Sequence, residues 1–293
     1  MNQINRDTFS GVLKAWRKQR RLSQLDLAGM AQISTRHLSF LETGRSKPSR
    51  DMVLHLADCL EIPLRERNSL LVAGGFAPIY AEHDFADDHS MAIRAAVDQI
   101  LSAHEPYPAL AMDRHWNMVA ANKIVPLMLD GIDAELLRPP VNLLRLSLHP
   151  DGLASRVVNY IQWKDHLLDR LRRQIEVTAD PKLRGLYDEA SHYRMPPTAK
   201  GAENTPPTDA GALSGLVVPL VLQTEIGTLR FVSTTTVFGT PVEVTLSELA
   251  IETLLPADAA TGHALRQLAS GLQSKTPPEH SGGVLCLQEI TAD

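Results

Sequence analysis

Apolar side chains recur every three or four positions along residues 1–75, which is the spacing of helices that bury one face. Hydroxyl residues stand where such helices would begin, and Thr43-Gly44 and Gly74-Gly75 stand where two of them would end. The pattern predicts a bundle of five short helices. Their predicted positions are 8–19, 24–30, 35–42, a fourth helix opened by Ser49, and a fifth from Pro63 to Gly74.

From residue 106 onward the pattern changes to short apolar runs separated by helical segments. Segments 109–113 and 118–122 predict two strands joined by a tight turn. The later elements follow in chain order. Helical segments are predicted at 124–129, 142–148, 153–173 and 180–190, a mobile loop at 195–212, strands at 215–223, 227–238 and 248–255, and a last helix at 257–273.

A length of 293 residues corresponds to about two domains. An amphipathic helix is predicted at 90–103, between the bundle and the strand-containing part. We therefore expect a bundle domain at 1–78, a linker helix at 79–105, an α+β domain at 106–273 and a tail at 274–293.

Composition narrows the class of protein. Apolar residues make up 44% and charged residues 22% of the chain, which is typical of a globular protein and excludes fibrous or wholly disordered classes. There is no apolar run long enough to span a membrane, the start is polar, and two cysteines give no disulfide framework or zinc motif. We expect a cytoplasmic protein without a membrane partner.

Charge is unevenly distributed along the chain. The first 78 residues hold 12 Lys and Arg against 7 Asp and Glu, although the whole chain has a net charge of −5. A basic bundle on an acidic remainder indicates that the bundle is the part that meets a polyanion. The alternative is that these charges only solvate a small bundle.

The segment LSQLDLAGMAQISTRHLSFLETGRSKPS, residues 22–49, resembles the helix-turn-helix of the Cro/repressor (XRE) family. The turn Ala31-Gln32-Ile33 lacks the glycine that many members carry. The resemblance extends over roughly residues 9–71 and implies that helix 35–42 enters the major groove of DNA. The matching positions are Gln24, Leu27-Ala28, Ile33-Ser34, Leu38, Leu41-Glu42, Gly44 and Pro48.

Positions on the recognition helix suggest individual roles in DNA binding. We expect base contacts from Thr35, Arg36 and Phe40, with Arg36 matched to the two acceptors of guanine. Phe40 has the alternative of packing against the fourth helix. Contacts to phosphate are expected from Gln24, His37, Arg45, Lys47 and Arg50.

The second part of the chain carries two further resemblances. The order of an apolar strand, Asp113, a turn, a second strand, Asn122 and a helix resembles the opening of a PAS domain, in which the asparagine fixes the turn into the helix. The phrases PYPALAMDRHWNMVAAN, LRLSLHPDGL and STTTVFGTPVEVTLSELAIETLLPADA resemble the MmyB-like ligand-binding domain, a PAS-like module found behind XRE helix-turn-helix domains.

These resemblances imply a fold and a function. The expected fold is an all-α N-terminal helix-turn-helix bundle followed by an α+β PAS-like domain with a five-stranded antiparallel sheet. The expected function is that of a transcription regulator that senses a small apolar molecule. We expect it to act as a homodimer, since one bundle reads only a short half-site.

Helical spacing and apolar character indicate several candidate pocket residues, although each of them taken alone is more often part of the core. The candidate walls are Met112, Met128, Tyr160, Trp163, Leu167, Phe231 and Val237. Arg145, His149 and His166 are candidates to hold a carboxylate. The leucine-rich segment between strands two and three suggests a long-chain fatty acid as the ligand. The sequence carries no metal or haem motif, so we expect no metal and no other cofactor.

The second domain has two alternative functions, an enzyme and an interaction module. Ser147, His149 and Asp151 alternate along one stretch, but residues so close in sequence rarely form a catalytic triad. His149 before Pro150 is typical of a capping residue or of a polar residue satisfied by its neighbours. No common nucleophile, zinc-protease or nucleotide-binding motif is present, so we do not expect an enzyme. The remaining alternative is a protein-interaction or dimerisation module without a ligand.

Overall fold

The structure is a computed structural model that describes residues 8–83, 85, 87, 90–196, 217–273 and 285–286. The chain divides into two compact units. Unit 1 comprises Met1–Asp84 and Thr240–Ser247, and unit 2 comprises Phe85–Gly239 and Glu248–Asp293. Most of the predicted mobile loop and of the predicted tail lies outside the described residues. Among the described helices, none is both long and apolar enough to cross a membrane.

Unit 1 contains the five predicted helices. Its helices are α1 (Phe9–Gln19), α2 (Gln24–Met30), α3 (Thr35–Glu42), α4 (Arg50–Cys59) and α5 (Leu64–Ala73). The first four begin at a hydroxyl residue whose side chain accepts a hydrogen bond from a backbone N–H of the first turn, which satisfies a donor that the helix leaves open. Gly44 follows α3 with a φ of +72°, a left-handed conformation that glycine adopts without strain.

A buried ion pair joins α1 to α3 in unit 1. Arg17 Nε and Nη2 donate to Glu42 Oε1 and Oε2 at 2.5 and 2.8 Å, and Gln24 Nε2 donates to Glu42 Oε2 at 2.8 Å. Arg17 Nη1 also donates to the carbonyl of Leu22 at 2.7 Å. Burial raises the pKa of Glu42, but the hydrogen bonds from Arg17 and Gln24 outweigh it and hold that pKa below 4.5. The network therefore holds α3 against α1 through the carboxylate of Glu42, whose charge is neutralised by Arg17 of the same unit.

Unit 2 is built on one antiparallel sheet. Its strands are β1 (Ala109–Met112), β2 (Met118–Ala121), β3 (Leu220–Thr224), β4 (Gly227–Val237), β5 (Ala250–Pro256) and β6 (Leu285–Cys286). Their order across the sheet is β3-β4-β5-β1-β2-β6. The predicted five-stranded antiparallel sheet is confirmed, and β6, which lies in the predicted tail, adds a two-residue strand beside β2.

The other helices lie close to their predicted positions, with two exceptions. These helices are α6 (Met91–Ala103), α7 (Leu143–Leu148), α8 (Tyr160–Thr178), α9 (Pro181–Ser191), α10 (Val244–Glu248) and α11 (Ala259–Gln273), with 3-10 turns at Pro126–Met128 and Leu153–Arg156. The exceptions are α8, which is described below, and α10, which was not predicted. Aromatic and leucine side chains of α8 pack with β3 and β4 in the main core of unit 2.

The predicted continuous helix 153–173 is wrong. After the 3-10 turn the chain becomes extended at Val157, which forms a bridge with Leu222, and Val158 N donates to the carbonyl of Val221 at 2.8 Å. Pairing with β3 thus replaces helical hydrogen bonds at this point. Val158 and Ile161 at this point are 37% and 47% exposed.

Asn122 organises the start of the sheet. Its side chain is fully buried. Its Oδ1 accepts from Ala109 N at 3.2 Å and Ile124 N at 3.3 Å, and its Nδ2 donates to the carbonyls of Tyr107 and Leu101 at 2.8 and 3.3 Å. The expectation that Asn122 fixes the turn after the second strand is confirmed.

The Arg17–Glu42 pair generates a prediction about stability. We expect Glu42→Gln to lower the free energy of unfolding of unit 1 by about 3–5 kcal/mol, because breaking a buried pair leaves the Arg17 charge uncompensated. The pair's contribution is fully present above pH 4.5 and is lost as the pH falls through the lowered pKa of Glu42. The difference between wild type and variant should therefore narrow below pH 4.5.

Urea unfolding, followed in α1 and α3 peptides by pulsed hydrogen exchange, measures this difference for unit 1 alone. Glu61→Gln, at an exposed position of the same unit, is the matched control and should have little effect. A difference that stays constant well below pH 4.5, or no difference at pH 7, would contradict the proposed role of the pair.

Candidate functional site

The helices α2 and α3 and their turn present one exposed face in unit 1. The turn takes a left-handed conformation at Gln32, with a φ of +52°. Leu38, Leu41 and Glu42 of α3 are buried. The opposite side of α3 begins with Thr35 and Arg36, which are both exposed. The first turn of α3 is therefore free to approach a ligand.

Two arginines lie close to the ring of Phe40 on this face. The guanidinium carbons of Arg36 and Arg45 are 5.4 and 5.9 Å from the ring centroid. At these distances a guanidinium group is attracted to the face of an aromatic ring. This cation–π attraction orients long side chains that would otherwise move freely. Phe40 is half-buried and is not among the described side chains that form the core of unit 1. Phe40 thus contacts the two arginines and is not part of the described core of the bundle.

The residues expected at phosphate have different surroundings. Arg45, Lys47 and Arg50 are exposed, and His37 is half-buried. The side chain of Gln24, in contrast, donates to Glu42 as described above, so its amide group serves the buried network. The N-terminus of α2 is moreover occupied by a capping box, in which Asp26 accepts from Ser23 N at 2.8 Å. The structure thus engages the side chain of Gln24 with Glu42, and a contact from Gln24 to phosphate stays a prediction.

Unit 2 contains a cavity of about 100 Å³. Its walls come from β1, β3 and β5 of the sheet, from α7 and α8, and from loops. The lining residues are Pro108, Leu110, Met112, Trp116, Val125, Met128, Leu129, Leu143, Leu146, Ser147, Leu153, Trp163, Leu167, Leu220, Leu222, Glu252 and Leu254. Apart from backbone groups, Ser147 and Glu252 supply the polar side chains of this described lining, so the cavity favours an apolar occupant.

Aromatic side chains in and around the cavity have their polar atoms bonded to neighbouring groups. Trp163 Nε1 donates to Ser147 Oγ at 2.9 Å, and Trp116 Nε1 donates to Gln174 Oε1 at 2.7 Å. Tyr160, in the adjacent core, donates its hydroxyl to the carbonyl of Leu148 at 3.0 Å. These bonds fix the rings in place. Burial raises the pKa of the Tyr160 hydroxyl, which keeps it a donor.

The predicted wall residues are distributed in three ways. Met112, Met128, Trp163 and Leu167 line the cavity. Tyr160 and Phe231 are buried in the surrounding core but are not part of the described lining. Val237 is 63% exposed, because the last four residues of β4 extend past the described elements that cover the start of the strand. Its assignment as a wall residue was therefore wrong in position.

Sequence reasoning missed most of the sheet's contribution to the cavity. Leu110 with Met112, Leu220 with Leu222 and Glu252 with Leu254 each line it from one strand. Each pair is spaced by two residues, which places both side chains on the same face of the sheet. This alternation was present in the sequence. Which of the two faces is covered by α8, however, depends on packing between distant segments.

The three candidate anchors for a carboxylate do not belong to the described lining. Arg145 forms a two-pronged ion pair with Glu189, with both contacts at 2.8 Å. His149 is the C-cap residue of α7 and its ring packs edge-on against Tyr193 at 5.1 Å. His166 stacks on Trp163 at 5.4 Å, and burial together with the charge of Arg170 lowers its pKa.

The alternating residues Ser147, His149 and Asp151 are each engaged locally. Ser147 Oγ accepts the hydrogen bond from Trp163, and His149 Nδ1 accepts from Asp151 N at 3.2 Å. His149 Nδ1 also lies 3.6 Å from the Asp151 carboxylate. The expected capping position of His149 is confirmed. These contacts describe a helix terminus and its turn.

Comparison with protein-family models gives two matches. Residues 13–67 match a model described as Helix-turn-helix. Residues 93–268, more than half of the chain, match a model described as MmyB-like transcription regulator ligand binding domain. A search of the curated proteins gave no match. Both families are those of transcription regulators, and the chain belongs to the family of MmyB-like transcription regulators with an N-terminal helix-turn-helix and a C-terminal ligand-binding domain.

Proposed function

We propose that this regulator binds a specific DNA sequence and that its C-terminal domain, which is PAS-like, senses a small apolar molecule held in the cavity of unit 2. The observation that carries the proposal is the apolar lining of that cavity. Two strands, intervening helices and three strands in the order β3-β4-β5-β1-β2 support the PAS-like assignment. The families matched give no reason to assign an enzymatic activity.

The size of the cavity limits the ligand. An engineered apolar cavity of about 150 Å³ binds benzene, and the cavity here is of that order at about 100 Å³. A long-chain fatty acid, which the leucine-rich segment suggests, would require the cavity to widen at the partly buried Leu143 and Leu153. Each CH₂ group it buried would contribute about 0.8 kcal/mol, which favours tight retention of such a chain.

In DNA binding, α3 is proposed to enter the major groove with its first turn toward the bases. Arg36 matches the O6 and N7 acceptors of guanine, Thr35 can donate or accept, and Phe40 can meet a thymine methyl group. The cation–π contacts of Phe40 support this assignment because they hold Arg36 and Arg45 on one face. Residues proposed at phosphate are His37, Arg45, Lys47 and Arg50.

Base contacts and phosphate contacts have different consequences for binding. We expect Arg36→Ala to weaken binding to a selected high-affinity DNA by about 1–3 kcal/mol and to relax specificity at one base pair. Lys47→Ala, the matched comparison, should weaken all sequences alike and reduce the salt dependence by about one unit. Titrations of specific and random DNA at several salt concentrations measure both effects. Equal weakening by Arg36→Ala on both DNAs would refute the base contact.

We also propose that the regulator acts as a homodimer in the cytoplasm, since two-fold pairing lets a short recognition helix read two half-sites. The full chain should sediment as a dimer at micromolar concentration and bind a two-fold symmetric DNA site with two copies. Sedimentation as a monomer, both free and on such a site, would contradict the proposal.

Ligand binding is proposed to change DNA affinity through the covalent path of the chain. The chain passes from unit 1 to unit 2 after residue 84, and segment 240–247 of unit 1 connects β4 to β5, a strand that lines the cavity. The domain limits 1–78, 79–105 and 106–273 are proposed from the sequence pattern, and the two family matches cover residues 13–67 and 93–268. A ligand shifts such an equilibrium only if it binds one state more tightly than the other.

The cavity can be tested by filling it. We expect Leu167→Trp to reduce the affinity for toluene at least tenfold, because the larger ring occupies space at a lining position. Titration of the full chain with toluene, followed by calorimetry or by ligand-observed NMR, measures the affinity. Ile161→Trp is the matched control, since Ile161 lies on the same helix and is exposed. Unchanged toluene binding in a folded Leu167→Trp protein would place the ligand elsewhere.

A further inference from the structure

Glu252 is, with Ser147, one of the two polar side chains in the described lining of the mainly apolar cavity. Glu252 lies on β5, and together with Leu254 it faces the cavity. Its side chain is 13% exposed, so it is largely withdrawn from solvent. Burying a charged group is costly unless it is paired. A charged residue at this position therefore needs an explanation in terms of its partners.

The partners of Glu252 lie on its two oxygens. Oε2 accepts from Arg170 Nη1 at 2.6 Å, and Oε1 accepts from the hydroxyl of Ser233 at 2.6 Å. An ionised carboxylate can accept about four hydrogen bonds, so these two contacts leave acceptor capacity on both oxygens. Glu252 is part of the cavity lining, whereas Arg170 and Ser233 are not part of the described lining. Glu252 therefore brings a charged hydrogen-bond acceptor with remaining capacity to the lining of the cavity.

This arrangement discriminates between polar groups on a ligand. An ionised carboxylate inside the cavity would face Glu252 at low local dielectric, and no cationic side chain is among the described residues that line the space. An ammonium group would compete with Arg170 for a charge that is already neutralised. A neutral hydroxyl, in contrast, can donate to Glu252 without disturbing the ion pair.

The shape of the wall indicates a compact ring. Trp116 and Trp163 both line the cavity, and aromatic pairs in offset or edge-on contact are favourable. The guanidinium carbon of Arg170 lies 4.7 Å from the centroid of the Trp116 ring. Trp116 also donates from Nε1 to Gln174, and the two contacts together hold its ring in place. The volume of about 100 Å³ is of the order that accepts a single six-membered ring.

We infer that the cavity recognises a single-ring aromatic alcohol or phenol, whose hydroxyl donates to Glu252, and that Glu252 excludes the corresponding carboxylate. The inference rests on the proposed sensor function and names the class of ligand for the same cavity. It also assigns an orientation to any acid that binds, because a carboxylate would have to remain outside the cavity. Glu252 is thus a specificity-determining residue.

Three ligands of similar size separate the contributions of the ring and of the polar group. The full chain is titrated with toluene, phenol and benzoate at pH 7. Toluene reports the apolar cavity alone. Phenol should bind about tenfold more tightly than toluene, since a hydrogen bond to a charged acceptor contributes that much or more. Benzoate should bind at least tenfold more weakly than phenol.

Two variants assign the preference to Glu252. Glu252→Gln keeps the shape but removes the charge, so the preference for phenol over toluene should fall severalfold and benzoate should gain affinity. Glu252→Leu removes the acceptor and should abolish the preference. Glu189→Gln, which breaks the exposed ion pair with Arg145, is the matched control and should leave all three affinities unchanged. Toluene binding by each variant shows that its cavity is intact.

The outcomes distinguish this inference from the proposed function. Toluene binding without a preference for phenol, or a preference that survives both substitutions of Glu252, would overturn the inference and leave the apolar sensor in place. A wild-type protein that binds neither toluene nor phenol would overturn both. Benzoate binding as tight as phenol binding would refute the exclusion of carboxylates.

Discussion

The cavity of unit 2 depends on how its large aromatic side chains are held. They are hydrogen-bonded to neighbouring groups, and these bonds keep the rings from turning inward to fill the space. Trp163 is bonded to Ser147 and Trp116 to Gln174. Tyr160 supports the same region through its bond to the carbonyl of Leu148. Turning a ring inward would leave its polar atom without a partner, and burying an unpaired polar group costs about 1–3 kcal/mol. The protein thus retains an apolar space that close packing would otherwise close.

Unit 1 uses a buried polar group in a related way. Glu42 joins Arg17 of α1 to the end of α3 and also engages Gln24 of α2. The three helices are thereby fixed from the inside, and the outer side of α3 is left to Thr35, Arg36 and Phe40. In both units, polar side chains within the fold determine which residues remain available to a partner. In unit 1 these include the cation Arg36, and in unit 2 they are mainly apolar side chains, with Ser147 and Glu252.

The sequence predicted the helices of unit 1 well because their limits are determined locally. Ser23 and Ser34 cap α2 and α3, and Gly44 ends α3 with a left-handed residue. The break before α8 was missed because Val157 pairs with Leu222, far along the chain. Glu252 was missed because a charged residue on a strand ordinarily faces solvent. Arg145 and His166 were chosen for their charge, but their neighbours Glu189 and Trp163 already engage them.

The most direct test of the account is whether occupancy of the cavity changes DNA affinity. The affinity of the full chain for a DNA sequence selected from a random pool is measured with and without saturating toluene, in wild type and in Leu167→Trp. We expect a change of at least about fivefold in wild type, within the usual range of coupling between sites, and none in the variant. Equal affinity with and without toluene in a wild-type protein that demonstrably binds toluene would contradict it.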